Sequence, residues 1–421
     1  MTAEHPSELD KVLGLAPAVG LAITLVVGSG VLVLPGLAYQ KLGATAIVTW
    51  VLAAVIVAPL LVVIASLGAM FPTAGGIAGF VRPTLGERFG AAADMMLLGA
   101  IPGGAALALV GGHLAADLGD DHRLVTPGAI AVLAFAFLIN RSGARASGRW
   151  QQHLSALFVG GLAIIAIAAL AAGHHRGVGI EAPHDLVRAV THVRLVFFAF
   201  VGWELMAFAG EEFVNPKRDF PRMVAISFAG VVVLYVLLAA ATQFALRPDD
   251  ARLATTPINA VAQDAMGSFG RYAVAVIGLL IVAANVNGVV MAFSRLVYAS
   301  ARSGTLPTAL ASTSADNTPR RAVAATVTGF AIFVVPERLG FVSQGTLFEL
   351  AASCFFAGYL LATAAYLRLH RRARRRVFGW VALAVECGAL ATFGVLVLYP
   401  MAIYLVGLAL ARSQAQRHAT V

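Results

Sequence analysis

Apolar runs long enough to cross a bilayer recur along this chain between short polar segments, and the first of them is interrupted. Residues 15–38 read LAPAVGLAITLVVGSGVLVLPGLA, with Gly28-Ser29-Gly30 near the middle. About 20 helical residues span roughly 30 Å of hydrocarbon, so this run is long enough to cross. Two glycines around a serine weaken the helix where it lies deepest. Backbone freed at that depth is tolerated only against protein or a wet cavity. The pattern predicts twelve spans, over 13–38, 44–70, 89–117, 125–139, 153–172, 190–212, 222–246, 269–300, 322–336, 345–367, 377–394 and 397–411. The last two form one apolar stretch too long for a single crossing, divided here near Leu398-Tyr399-Pro400. The runs have helix length rather than the alternating segments of about ten residues found in outer-membrane barrels. The predicted class is an all-α polytopic membrane protein of about 12 transmembrane helices.

Span six repeats the anomaly of span one. Residues 196–213 read VFFAFVGWELMAFAGEEF, with Gly202 and the ionisable Glu204 near the centre. Corresponding interruptions five spans apart fit two five-helix halves of inverted topology, whose broken helices build a binding site at mid-membrane. The expected division is 13–172 and 190–367 for the halves, with 377–411 as a peripheral helix pair, all within one transporter domain covering 1–421.

Composition agrees with the pattern. Hydrophobic residues make up 59% of 421, charged residues 12%, and mean hydropathy is +0.84. A soluble protein would carry about twice that charge. A net charge of +9 is here an orientation signal rather than a nucleic-acid footprint. With the N-terminus inside, cytoplasmic segments hold 20 of the 30 Lys and Arg residues, including the run Arg371, Arg372, Arg374, Arg375 and Arg376. That bias places both termini in the cytoplasm and the protein in the cell inner membrane. Cys354 and Cys387 lie inside apolar segments, so no disulfide framework is indicated. The polar, partly acidic first 14 residues do not read as a cleavable signal.

The two interruptions carry complementary chemistry. A break at Gly28–Gly30 exposes amide N–H groups at the positive end of the following half-helix, which favours a carboxylate. A break near Val201-Gly202 frees the carbonyls of Phe198, Ala199 and Phe200, which suit an ammonium. Together they would hold the two charged ends of an α-amino acid. The competing reading is that the glycines only let helices pack closely, as small residues do in membranes.

GSGVLVLPG in span one and FFAFVGWE in span six resemble the paired unwound motifs of the amino acid–polyamine–organocation transporters. FPTAGGIAGFV (71–81), EEFVNPKRDFPR (211–222) and SRLVYASARSGTLP (294–307) are also similar to that family's signatures. The matches run in order over about 15–370. The FPTAGG and NPKRDFPR forms and the weak final hairpin look most like the bacterial methionine and branched-chain amino acid exporter branch. The resemblance implies a LeuT-like fold of ten core helices in two inverted halves plus two peripheral ones. It implies that Gly28, Ser29 and Gly30 hold the substrate carboxylate. Phe198, Ala199 and Val201, beside Gly202, would face the amine, with the Phe198 ring as a gate. Glu204 takes the place of a span-six glutamate that in some members links protonation to release. It also has a structural reading, as a carboxyl hydrogen-bonded to the span-one backbone. Proton-coupled relatives carry a lysine in span five. Here Leu154 to Ala172 has no charged residue and Phe158 fills the place, so a lysine-based coupling is not expected.

Asn285 and Asn287 in span eight, with His113 in span three, either line the pathway or bond between helices, the latter being the simpler expectation. Arg295 is expected to pair with a loop acid or to snorkel to the interface. Asp94 and Glu386 belong to no motif. No metal-ligand spacing, P-loop or nucleophile–base arrangement appears, which argues against an enzyme, a cofactor or a primary pump. The expected function is secondary transport of neutral, apolar amino acids (methionine, leucine, isoleucine, valine) by alternating access, in the direction of efflux. The partners are that substrate, the lipid bilayer and protons. The pathway segments show no acidic residue beyond Glu204, so a cationic side chain would lack a second partner. The alternatives are an importer or exchanger of the same fold, a non-transporting receptor, or a channel.

Overall fold

The computed structural model describes residues 9–419 except 120, 143, 173–176, 182–195, 197, 201, 255 and 392. Among the described residues every regular element is helical, and the one isolated bridge joins Leu13 to Phe213. Eight stretches are long and apolar enough to cross a membrane. The remaining predicted spans differ from a plain crossing for local reasons. Span one is split into α1 (Leu15–Val26), a 3₁₀ turn over Ser29–Leu32 and α2 (Leu34–Leu42). Span six, from Phe198 on, is described as 3₁₀ segments over Phe198–Phe200 and Trp203–Glu212. Spans nine and eleven become α11 (Arg320–Arg338) and α13 (Ala373–Ala391), whose apolar stretches are shortened by charges near their ends.

The other elements follow in order. Span two is α3 (Ala46–Met70), and FPTAGGIAGFV opens into α4 (Gly76–Leu85). Span three is two helices, α5 (Glu87–Leu98) and α6 (Ile101–Gly119). Spans four, five and seven are α7 (Val125–Asn140), α8 (Ala144–Ala171) and α9 (Pro216–Ala245). Span eight lies in α10 (Pro257–Arg302), which turns sharply at Gly267, where φ is +62° and only glycine is unstrained. Span ten is α12 (Gln344–Leu369) and the last is α14 (Leu398–Ala419). The final hairpin turns over Gly394–Val397, at the expected gap between 377–394 and 397–411 and just before Leu398-Tyr399-Pro400. Pro400 instead sits in the first turn of α14, where a missing N–H costs nothing because that group has no helical partner.

The interrupted elements occupy the centre. α1 packs on α8, α9, α10 and the 203–212 segment, and α10 also packs on α6 and α7. α13 lies against α12 and α3, while α14 lies against α5 and α12. Large apolar side chains such as Leu138, Ile164, Val233 and Leu405 point outward. A bilayer is the solvent that such a surface matches.

Candidate substrate site at the paired interruptions

α1 ends where its hydrogen-bond ladder fails. The Val27 N–H still donates to Ile23 O at 2.7 Å, but the Gly28 N–H turns back to Val26 O at 2.9 Å. The following 3₁₀ turn then forms, with Val31 N donating to Gly28 O at 3.2 Å and Val33 N to Gly30 O at 3.1 Å. The amides of Ser29 and Gly30 precede the first of these bonds, as at any helix start. Among the described residues none accepts from the Gly30 N–H. A β-carbon on Gly28 would approach only Asn285 Nδ2, at 3.8 Å, and one on Gly30 only the tip of Leu34, at 3.3 Å. These two glycines therefore border open space and are not required by helix packing.

Gly202 is different. Its φ is +135°, and a β-carbon there would lie 2.8 Å from Leu25 O. Side chains are excluded twice over, by backbone conformation and by the approach of span six to the end of α1. The broken ends are tied by side chains from neighbouring helices. Asn285 Nδ2 on α10 donates to Thr24 O at 2.7 Å and Leu25 O at 3.3 Å. The Tyr235 hydroxyl on α9 donates to Ala199 O at 2.8 Å and also lies 3.3 Å from Val26 O. These bonds occupy carbonyls that an interrupted helix leaves without a partner. Ala199 O keeps a second lone pair for a ligand.

Glu204 is buried at 1% exposure. Its Oε2 accepts from the Gly202 N–H at 2.9 Å and from the Tyr359 hydroxyl on α12. Among the described residues it forms no ion pair. A cavity of about 480 Å³ lies where the two interruptions meet, bordered by Gly28, Gly30, Ala199, Gly202, Glu204 and Asn285. Its remaining wall is largely apolar and aromatic, including Val289, Phe293, Phe348, Phe355 and Phe393. Val201 and the side chains of Ser29 and Phe198 lie outside the described residues, and with them the gate expected of the Phe198 ring.

One expectation is corrected. Glu349, at the exposed start of α12, borders the cavity as a second acid. Spans one and six alone do not define the wall, because span ten closes it across a distance that no local pattern records. Sequence reasoning also missed Tyr235 and Tyr359, which lie in otherwise ordinary apolar spans. Asn285 both bonds between helices and borders the cavity, while Asn287 bonds to Asn140, with Asn140 Nδ2 2.8 Å from Asn287 Oδ1. His113 is exposed and does not border the cavity. Phe158 is fully buried in α8.

The end of the 203–212 segment is held by ion pairs. Arg295, on α10, pairs with Glu212 with both side chains at 1% exposure. Arg302 grips Glu211 with two bonds of 2.8 and 2.7 Å. Glu211 also accepts from Leu9 N at 2.9 Å and Ala74 N at 3.3 Å. Three separate parts of the chain, at Leu9, Ala74 and α10, thus converge on two carboxylates. Asp94, which belonged to no motif, pairs with Arg82 nearby in the fold.

The fold and the paired interruptions together define a transporter of amino acids. The chain belongs to the amino acid permease family, whose model matches residues 13–415, within the amino acid–polyamine–organocation group. It is 28% identical to an uncharacterized amino acid permease, YecA, of Bacillus subtilis, over 95% of each chain. It is 31% identical to the L-methionine/branched-chain amino acid exporter YjeH of Escherichia coli, over 70% of this chain and 71% of that one. It is 28% identical to the serine/threonine exchanger SteT of Bacillus subtilis, over 71% and 70%. In structure it matches MhsT, solved in complex with L-phenylalanine, with a TM-score of 0.66, 12% identity and coverage of 92% and 99%. That match establishes the LeuT-like fold.

Proposed function

We propose that this protein is a secondary transporter that exports neutral, apolar amino acids, methionine, leucine, isoleucine and valine among them, by alternating access. The observation that carries the reading is the cavity bordered by both interruptions, with unpaired amide character on one side, carbonyls on the other and an apolar, aromatic remainder. The Ser29 and Gly30 amides receive the substrate carboxylate. The Ala199 carbonyl, with its neighbours Phe198 and Val201 beside Gly202, receives the amine. The apolar wall receives the side chain. A volume of about 480 Å³ falls in the range of small-molecule sites. The named activity of the Escherichia coli relative supports the substrate class and the direction.

The proposed orientation has both termini in the cytoplasm of the inner membrane, and two five-helix halves, 13–172 and 190–367, with 377–411 at the periphery. In that frame the Glu211–Arg302 and Glu212–Arg295 pairs close the cytoplasmic side while the cavity opens outward past Glu349. Protons drive the cycle through Glu204, the buried acid of the cavity wall, which forms no ion pair among the described residues. Radiolabelled counterflow in proteoliposomes, across the twenty amino acids and with and without a pH gradient, tests the reading. Saturable counterflow of methionine and leucine is the expected result, and flux without saturation would indicate a channel. A second reading is obligatory exchange, favoured by the named activity of the serine/threonine exchanger relative. It predicts no efflux into an amino acid-free outer solution.

A further inference from the structure

Glu386 is buried at 0% exposure in α13, outside every motif and outside the cavity. A carboxyl within a membrane is costly and marks function unless it is fully partnered. Glu386 is not. Its Oε1 accepts from the Thr363 hydroxyl of α12 at 2.6 Å, while Oε2 is buried with no hydrogen-bond partner among the described residues. Thr363 lies four residues beyond Tyr359, the residue that holds Glu204, so α12 presents both hydroxyls on one face, one turn apart. Two buried acids are thus each held by a hydroxyl from the same face of one helix.

The surroundings supply no counter-charge at this depth. α3, which packs against α13, carries no titratable side chain, and neither does the Gly394–Val397 turn. From α12 the titratable groups are Glu349, Cys354, Tyr359 and Tyr366, with Arg368 and His370 at its end. On α13 itself they are Cys387, which is exposed, and the arginines of the first turn. The nearest of these, Arg376, lies ten residues before Glu386, about 15 Å along a helix.

We propose that Glu386 is a second proton-binding site of this transporter, paired with Glu204 along one face of α12. Two carboxylates in so dry a setting do not ionise independently, and their protons belong to the pair. A proton leaving one carboxyl is held by the other, breaking one O–H bond and forming another. The inference rests on the reading of Glu204 as the proton-linked group, and it extends the proton site away from the substrate to the scaffold.

Difference infrared spectroscopy of the purified full chain between acid and alkaline pH, without substrate, tests it. The expected result is a protonated-carboxyl band that titrates, disappears in Glu386→Gln and has its midpoint moved in Glu204→Gln. Thr363→Val, which keeps the carboxyl and removes its donor, is expected to move the same midpoint, and serves if Glu386→Gln does not fold. A spectrum unchanged by Glu386→Gln, or in its place by Thr363→Val, would overturn the proposal and leave Glu386 as an anchor between α12 and α13. A Glu386 band indifferent to Glu204→Gln would overturn the pairing. Failure of the unmodified protein to accumulate substrate in response to ΔpH would instead refute the proton-driven reading, and the infrared result is read separately from it.

Discussion

The Tyr235 hydroxyl donates to the Ala199 carbonyl at 2.8 Å and lies 3.3 Å from the Val26 carbonyl. One phenol on α9 therefore touches the ends of both interrupted segments. The ring is buried and stands edge-on to Trp50 and Phe200, with centroids 5.1 and 5.3 Å away. Tyr235→Phe keeps this packing and removes the hydroxyl, leaving buried carbonyls short of a donor. The expected cost is about 1–3 kcal/mol, seen as a lower melting temperature in detergent. An unchanged melting temperature would mean that water replaces the hydroxyl.

The glycines divide by environment, which gives a contrast to measure. Gly28→Val and Gly30→Val put branched side chains into open space beside the free amides. Loss of binding for all amino acid substrates alike is expected, in protein that remains folded. Loss of one substrate with retention of another would contradict a shared carboxylate site. Gly202→Ala should behave as a folding defect instead, because φ of +135° and Leu25 O at 2.8 Å oppose any β-carbon. The backbone strain alone is worth about 1–3 kcal/mol.

Glu204→Gln keeps the shape and hydrogen-bonding capacity of the side chain but cannot titrate. Substrate binding and counterflow should persist while ΔpH-driven accumulation is lost. Continued accumulation against a gradient would assign Glu204 to holding the Gly202 amide and Tyr359 in place.

Arg295 and Glu212 form a pair with almost no solvent access. Arg295→Met leaves a buried carboxylate without its cation and should destabilise by about 3–5 kcal/mol. Adding Glu212→Gln should recover much of that loss, because the uncompensated charge is then gone. Thermal melting of the two single variants and the double variant measures the coupling. Strictly additive losses would show that the pair is not an energetic unit.

What the sequence determined was local. The apolar runs set the number and order of the membrane segments, since only a helix or a closed barrel satisfies its backbone in hydrocarbon. Gly28-Ser29-Gly30 located the first interruption, because glycine weakens a helix wherever it sits. Gly202 and Glu204 marked the second as a glycine and an acid within an apolar run. Tertiary structure decided what surrounds those breaks. Asn285 reaches carbonyls about 260 positions earlier in the chain, and Tyr359 reaches an acid 155 positions away. No period or spacing encodes such meetings, since they depend on which helices become neighbours. For the same reason Glu349 joined the cavity wall unannounced, and Glu386, an isolated acid in an apolar run, acquired a partner one turn of α12 from the residue that holds Glu204. At the last hairpin the apolar pattern placed the break near Gly394–Val397 but left the role of Pro400 open. Proline is compatible with the start of a helix as well as with its end, and the packing of α14 on α5 and α12 goes with the first of these.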